Sequence, residues 1–204
     1  MGVHERRYLP LFAPKQNLII THNRRTIKRQ SLSKSIWIVR DYLKCSGCRL
    51  CEIACSLHHE EWMWPEASRV RIFMPFPGTE VPHLCAQCDD YPCIKACPVE
   101  ALSTDQTTRA VIVNKEKCIG CVKCITECPG HVPFHHPKDN KATICDLCEG
   151  DPECVKVCTQ AGYNALTIVR EERTFNRKLF AKPPIEIAKD LAANLFGEKG
   201  EKVI

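Results

Sequence analysis

Cys118-Ile119-Gly120-Cys121-Val122-Lys123-Cys124-Ile125-Thr126-Glu127-Cys128-Pro129 decides the reading of this chain. Three thiols fall two residues apart, a fourth follows after three more, and a proline closes the run. Three cysteines at that interval fit a tight loop wrapped around one compact group. The fourth, set back by three residues, starts a helix and points away from that group. Pro129 offers no backbone N–H and helps turn the chain. The pattern recurs. Cys45, Cys48, Cys51 and Cys55 repeat its spacing. Cys85, Cys88, Cys93 and Cys97 repeat it with two residues added before the third thiol, and Pro98 follows. Cys145, Cys148, Cys154 and Cys158 repeat it with three added. The four quartets use all 16 cysteines of the 204 residues, leaving none for a nucleophile or a disulfide.

Three chemistries compete for so many thiols. A disulfide scaffold belongs to an exported chain and has no need of four equal quartets. Zinc ribbons use pairs of Cys-x-x-Cys separated by longer spacers, with no third thiol two residues on and no closing Cys-Pro. The quartet spacing resembles that of bacterial ferredoxins, in which it binds [4Fe–4S] clusters and the fourth cysteine ligates the neighbouring cluster. Iron–sulfur ligation by all sixteen thiols is therefore expected. Assembly needs free thiols and hence a reducing compartment, so a cytoplasmic location is expected too.

The formal net charge is +5, and its cations crowd one end: Arg24, Arg25, Lys28, Arg29, Lys34 and Arg40. Nucleic-acid binding would interleave aromatic residues or a helix face with them, and this segment does neither. Asn23-Arg24-Arg25-Thr26-Ile27-Lys28 has the look of a twin-arginine export signal. Polar Arg29 to Lys34 follows it where an apolar run is required, so export is set aside. No stretch approaches the roughly 18 apolar residues of a transmembrane segment. Residues 1–34 are expected to form a basic extended arm.

Ser35 to Arg40 is a β-branched and aromatic strand, and Ala54 to Glu61 a short helix running on from Cys55. His58 and His59 beyond it read as exposed or capping residues, and Trp62 and Trp64 as packing or interface aromatics. Ser68 to Phe76 alternates as a strand, with Val70, Ile72, Met74 and Phe76 on one face, and Pro75, Pro77 and Gly78 end it. Hairpins are expected over 98–114 and 131–144, with His135 and His136 facing solvent. Ala165 to Val169 is a last strand. Gly47 and Gly120 lie in the thiol loops, where the backbone must approach the bound group closely. In the tail, Ile185, Ala188, Leu191, Ala192, Leu195 and Phe196 share one helical face and Gly197 fits a stop, so the helix packs either on its own domain or on a partner. There is no Gly-rich phosphate loop, no nucleophile with a base and no flavin site.

Quartets joined by hairpins and short helices over residues 36–170 resemble the four-cluster subunits that serve molybdenum and tungsten oxidoreductases: dimethyl sulfoxide reductase, formate dehydrogenase and nitrate reductase. His83-Leu84-Cys85-Ala86-Gln87-Cys88-Asp89-Asp90-Tyr91-Pro92-Cys93-Ile94-Lys95-Ala96-Cys97-Pro98 is especially similar to that family's second quartet. Cys45 to His59, with Trp64 to Phe73, resembles the small iron–sulfur subunits that accompany tungsten-dependent aldehyde oxidoreductases. The resemblance implies an α+β fold of two interleaved bacterial-type two-cluster ferredoxin units, with short β-hairpins and short helices, an extended N-terminal arm and a C-terminal helix. The outer unit would be 35–84 with 142–170, the inserted inner unit 85–141 and the tail 171–204.

It implies four [4Fe–4S] clusters and no catalytic residue. The partners it implies are a tungsten- or molybdenum-pterin subunit oxidising aldehydes, and ferredoxin or another acceptor, in a hetero-oligomer. A subunit of a hydrogenase or carbon monoxide dehydrogenase, or a free-standing polyferredoxin, is the alternative. Quartets two and three both end in Cys-Pro and adjoin, and quartets one and four end in Cys55-Ser56 and Cys158-Thr159 and lie outside them. With the family's wiring, one cluster takes Cys45, Cys48, Cys51 and Cys158, and its mate Cys145, Cys148, Cys154 and Cys55. The inner pair takes Cys85, Cys88, Cys93 with Cys128, and Cys118, Cys121, Cys124 with Cys97.

Overall fold

A computed structural model describes residues 35–170 and 176–202. The arm over 1–34 lies outside the described residues.

Strand β1 (Ile36–Arg40) pairs antiparallel with β8 (Leu166–Arg170), Ile38 opposite Ile168 and Arg40 opposite Leu166. The two ends of the thiol-bearing region thus meet in one ribbon that encloses everything between them. Ile36 and Ile38 are buried with Val70, Leu84, Leu147 and Leu166. Trp37 points to the other face and is covered as well, by the Phe180 ring at 5.2 Å and the Arg177 guanidinium at 5.6 Å. A strand buried on both faces reads as an unbroken apolar run, and Ile36-Trp37-Ile38-Val39 is one.

Three hairpins hang from this ribbon. β2 (Arg71–Phe76) pairs with β3 (Thr79–His83), β4 (Leu102–Thr104) with β5 (Val111–Val113), and β6 (Phe134–His135) with β7 (Ala142–Thr143). The last two occupy the expected hairpins. The first was expected as a lone strand ending at Pro75, Pro77 and Gly78. Gly78, at φ 79°, instead turns the chain back into β3, whose Pro82 sits opposite Ile72. The register slips between Phe73 and Phe76, so Val70 and Ile72 are buried as expected but Met74 is 56 % exposed.

Four helices follow one rule. α1 (Leu50–Glu60), α2 (Pro92–Lys95), α3 (Lys123–Thr126) and α4 (Glu153–Gln160) each open one residue before a third cysteine of a quartet. The sequence reading began the helix at the fourth. Arg49, Tyr91 and Val122, at φ 58°, 47° and 59°, end the first three loops in the left-handed region and start the helix early. In the fourth run Pro152 cannot adopt that conformation, and Leu147, Cys148 and Glu149 take positive φ instead. Third and fourth thiols lie four residues apart: on α1 and α4 about one turn along the same helix face, whereas Cys97 and Cys128 fall just past the ends of α2 and α3.

The tail returns to the body. Arg177 is buried, its Nη2 donating to Ser35 Oγ at 2.9 Å, and Lys178 pairs with Asp90 at 2.7 Å. Helix α5 (Pro184–Phe196) ends at Gly197 as expected, and buries Ile187 and Ala188 against Val81 of β3. Of the expected face Ala188 is buried and Leu191 packs beside it, but Ile187 joins them in place of Ile185, and Ile185, Leu195 and Phe196 stay exposed.

Candidate metal centres

Sixteen free thiols are gathered in the described residues. Cys45, Cys48 and Cys51 line one pocket with Cys158, from over a hundred residues downstream, beside Ile72 and Tyr163. Cys118, Cys121 and Cys124 line a second with Cys97. The other two groupings are seen in the charges each thiol feels. Burial and then the nearby Cys128 push Cys88 up to about 11 and Cys93 up to about 12. Cys145, Cys55, Cys148 and Cys51 all add to the burial that raises Cys154. Cys51 rises to about 12, by burial first, then Glu52, Cys45 and Cys48.

Backbone N–H groups are aimed at the sulfurs. Arg69 donates to Cys55 Sγ at 3.3 Å, Gln87 to Cys85 at 3.4 Å and Ala142 to Cys118 at 3.4 Å. Ala101 donates to Cys97 at 3.2 Å, and Val132 at the same offset to Cys128 at 3.5 Å. Such bonds hold a thiolate rather than a thiol, because an added negative charge on sulfur strengthens them. Apolar walls, converging thiols and N–H donors together are the donor set that a [4Fe–4S] group requires.

The two glycines expected in the thiol loops also have close protein neighbours. A Cβ at Gly120, φ 68°, would stand 2.7 Å from the Asn140 carbonyl, and one at Gly47, φ 70°, 2.7 Å from the Glu80 carboxyl.

His58 is exposed as expected, but two other histidines depart from expectation. His136 is buried, not solvent-facing: its Nε2 lies 3.3 Å from Glu60 Oε2, and its ring stands edge-on to Trp64 at 5.3 Å. His59 is neither exposed nor a cap. Its Nε2 lies 3.7 Å from Cys148 Sγ and 3.5 Å from Asp146 Oδ1. The sequence carried a signal for this, since His59 stands four residues after Cys55 on α1 and so shares its face.

This fold and these thiol groups define an iron–sulfur electron-transfer protein. Residues 78–169 match the family model of the 4Fe-4S dicluster domain. The chain is 52 % identical over 169 residues to the aliphatic sulfonate oxidoreductase, polyferredoxin-like subunit, of Pyrococcus furiosus, covering 83 % of this chain and 98 % of the relative. It is 33 % identical to the putative electron transport protein YsaA of Escherichia coli, covering 67 % and 93 %. Electron transport protein HydN of Escherichia coli is 32 % identical, covering 60 % and 82 %. The chain belongs to the polyferredoxin-like family of 4Fe-4S electron-transport proteins, and is a non-catalytic subunit that carries electrons. Among solved structures, a chain of the active site complex BamBC of benzoyl coenzyme A reductase matches at 24 % identity and TM-score 0.40, covering 82 % and 94 %. No helix among the described residues is long and apolar enough to cross a membrane.

Proposed function

We propose that the chain holds four [4Fe–4S] clusters, wired across two nested two-cluster units, and passes single electrons between a catalytic oxidoreductase subunit and ferredoxin or another acceptor. One observation carries the wiring: Cys158 faces the cavity of Cys45, Cys48 and Cys51, and Cys97 that of Cys118, Cys121 and Cys124. The neighbours of Cys88, Cys93 and Cys154 support Cys128 as the fourth ligand with Cys85, Cys88 and Cys93, and Cys55 with Cys145, Cys148 and Cys154.

Each cluster, when bound, supplies one-electron redox chemistry at a potential set by its surroundings. The protein's part is to hold the centres in a row and keep water from their inner faces. Cys51 and Cys154 join the first centre to the second, Cys145 and Cys85 the second to the third, and Cys93 and Cys124 the third to the fourth. The ends of this row reach the surface. Cys48 is the exposed cysteine of the sixteen, and Ile119 and Val122 are exposed beside Cys121.

The catalytic partner we propose carries a tungsten- or molybdenum-pterin and acts on aldehydes or related carbonyl compounds. The resemblance of Cys45–Phe73 to the subunits of such enzymes supports it. The name of the Pyrococcus relative adds aliphatic sulfonates to the substrates to test. Anaerobic purification of the native complex decides: about sixteen iron and sixteen sulfide per chain, with tungsten or molybdenum in a co-purifying subunit, is expected. Eight iron or stoichiometric zinc contradicts the cluster count. Nickel in place of tungsten and molybdenum turns the reading to a hydrogenase or carbon monoxide dehydrogenase.

A further inference from the structure

Five of the sulfur contacts described above come from backbone N–H groups, whose strength the protein cannot change without moving the chain. Cys148 differs. Its Sγ is 3.7 Å from His59 Nε2, a fair distance for the large sulfur atom, and among the described residues this is the one side-chain nitrogen within hydrogen-bonding range of a quartet sulfur. The ring is held in place. Asp146 Oδ1, 3.5 Å from Nε2, also accepts the Cys148 N–H at 3.1 Å, and Arg69 approaches the other carboxylate oxygen at 3.7 Å. The His58 ring stands edge-on to His59 at 4.6 Å. Nε2 is the ring nitrogen that faces both the carboxylate and the sulfur. A carboxylate only accepts, so a proton on Nε2 is shared between Asp146 Oδ1 and the sulfur.

We propose that His59 is a positioning residue for the centre that Cys148 ligates: its Nε2–H donates to Cys148 Sγ and raises the reduction potential of that cluster. Reduction adds one negative charge, spread partly over the thiolate sulfurs. A donor at sulfur therefore favours the reduced form over the oxidised one. Asp146, itself held by the Cys148 N–H and by Arg69, fixes the ring's orientation at Nε2, as outer partners do for metal ligands. The inference rests on Cys148 being a cluster ligand. It is indifferent to the wiring, because Cys148 joins Cys145 and Cys154 in the crossed and the sequential schemes alike.

The test uses the full chain purified anaerobically with its clusters. Each potential is followed by electron paramagnetic resonance during a redox titration, beside iron and sulfide counts. In His59→Leu the iron count is expected to match the wild type. One potential should fall by about 59 mV, a tenfold shift in the ratio of oxidised to reduced cluster, with the other three unchanged. His59→Gln keeps an N–H donor and should recover much of that fall. Four unchanged potentials in His59→Leu would overturn the proposal, as would equal falls in the two variants, which mean packing. Loss of one cluster in both variants overturns it in favour of direct ligation or a structural role. A wild-type chain with far less iron than expected fails the ligand reading itself, and this inference with it.

Discussion

The inner and outer quartets deliver the same four thiols by two different scaffolds. In the inner pair, α2 and α3 are four-residue helices of one turn each. Both are followed by a residue in the left-handed region three places past the fourth cysteine, Glu100 at φ 50° and His131 at φ 50°. In the outer pair, α1 runs 11 residues and α4 eight, and the left-handed residue comes six places past the fourth cysteine, at Glu61 and Asn164. The difference traces to one position. Pro98 and Pro129 cannot continue a helix, whereas Ser56 and Thr159 can. The longer outer helices pack against each other and bring side chains, His59 among them, to the sulfurs. The inner ones are too short to do so and rely on backbone N–H groups.

The largest effect should come from breaking the outer pairing. Cys158→Ala removes a ligand from the first-quartet centre under crossed wiring. About four iron should be lost, with the electron paramagnetic resonance signal of the Cys45, Cys48 and Cys51 centre disappearing while that of the Cys145, Cys148 and Cys154 centre persists.

Ser56→Pro would force the inner design on an outer helix. Its ring meets the Glu52 carbonyl and its missing N–H breaks a helical bond, at a cost of about 3 kcal/mol or more. The Ser56 hydroxyl is buried, donating to the Ile53 carbonyl at 3.0 Å and accepting the Trp64 N–H at 3.1 Å, so the fall in thermal midpoint should be large.

A pH series treats both regions alike and so tests what they share. In the cluster-free chain, burial raises Cys51 and Cys93 to about 12 and Cys88, Cys124 and Cys148 to about 11, from an ordinary 9.0. The unfolded chain then loses protons above pH 9 that the folded one keeps. Stability of the cluster-free fold should be full below pH 9 and decline as pH rises toward 11–12. Cluster insertion needs thiolates, so reconstitution should improve over the same range. Circular dichroism melts and iron uptake at stepped pH measure the two opposite trends.

Pro129→Ser is the mildest change. It permits α3 to lengthen, yet nothing packs to reward the added turn, and a shift of about 0.5–1 kcal/mol, mostly from the unfolded chain, is expected in a denaturant titration.

Much of this was legible in the chain itself. Spacing alone separated the quartets, because a metal centre constrains residue type and interval together. The apolar run at Ile36 and the alternating segments gave β1, β4, β5 and β8. What escaped has physical causes. β3 contains Pro82, which argues against a strand until an edge position is known. The α5 face shifted because Ile187, not Ile185, meets Val81, a choice made by tertiary packing. His136 was read as surface because nothing local reveals that Glu60 and Trp64 close over it. The place of His59 four residues after Cys55 on α1 put it on a thiol-bearing face, but its contact with Cys148, 89 residues away, depends on how α1 and the fourth quartet pack.

The central claim is that the fourth thiol of each quartet serves another quartet's centre. Diffraction from anaerobically grown crystals, with anomalous data collected at the iron edge, tests it most directly. The account predicts four iron–sulfur centres, with Cys158 Sγ bound to the one held by Cys45, Cys48 and Cys51, and Cys55 Sγ to the one held by Cys145, Cys148 and Cys154. Cys55 bound to the same cluster as Cys45 would contradict it.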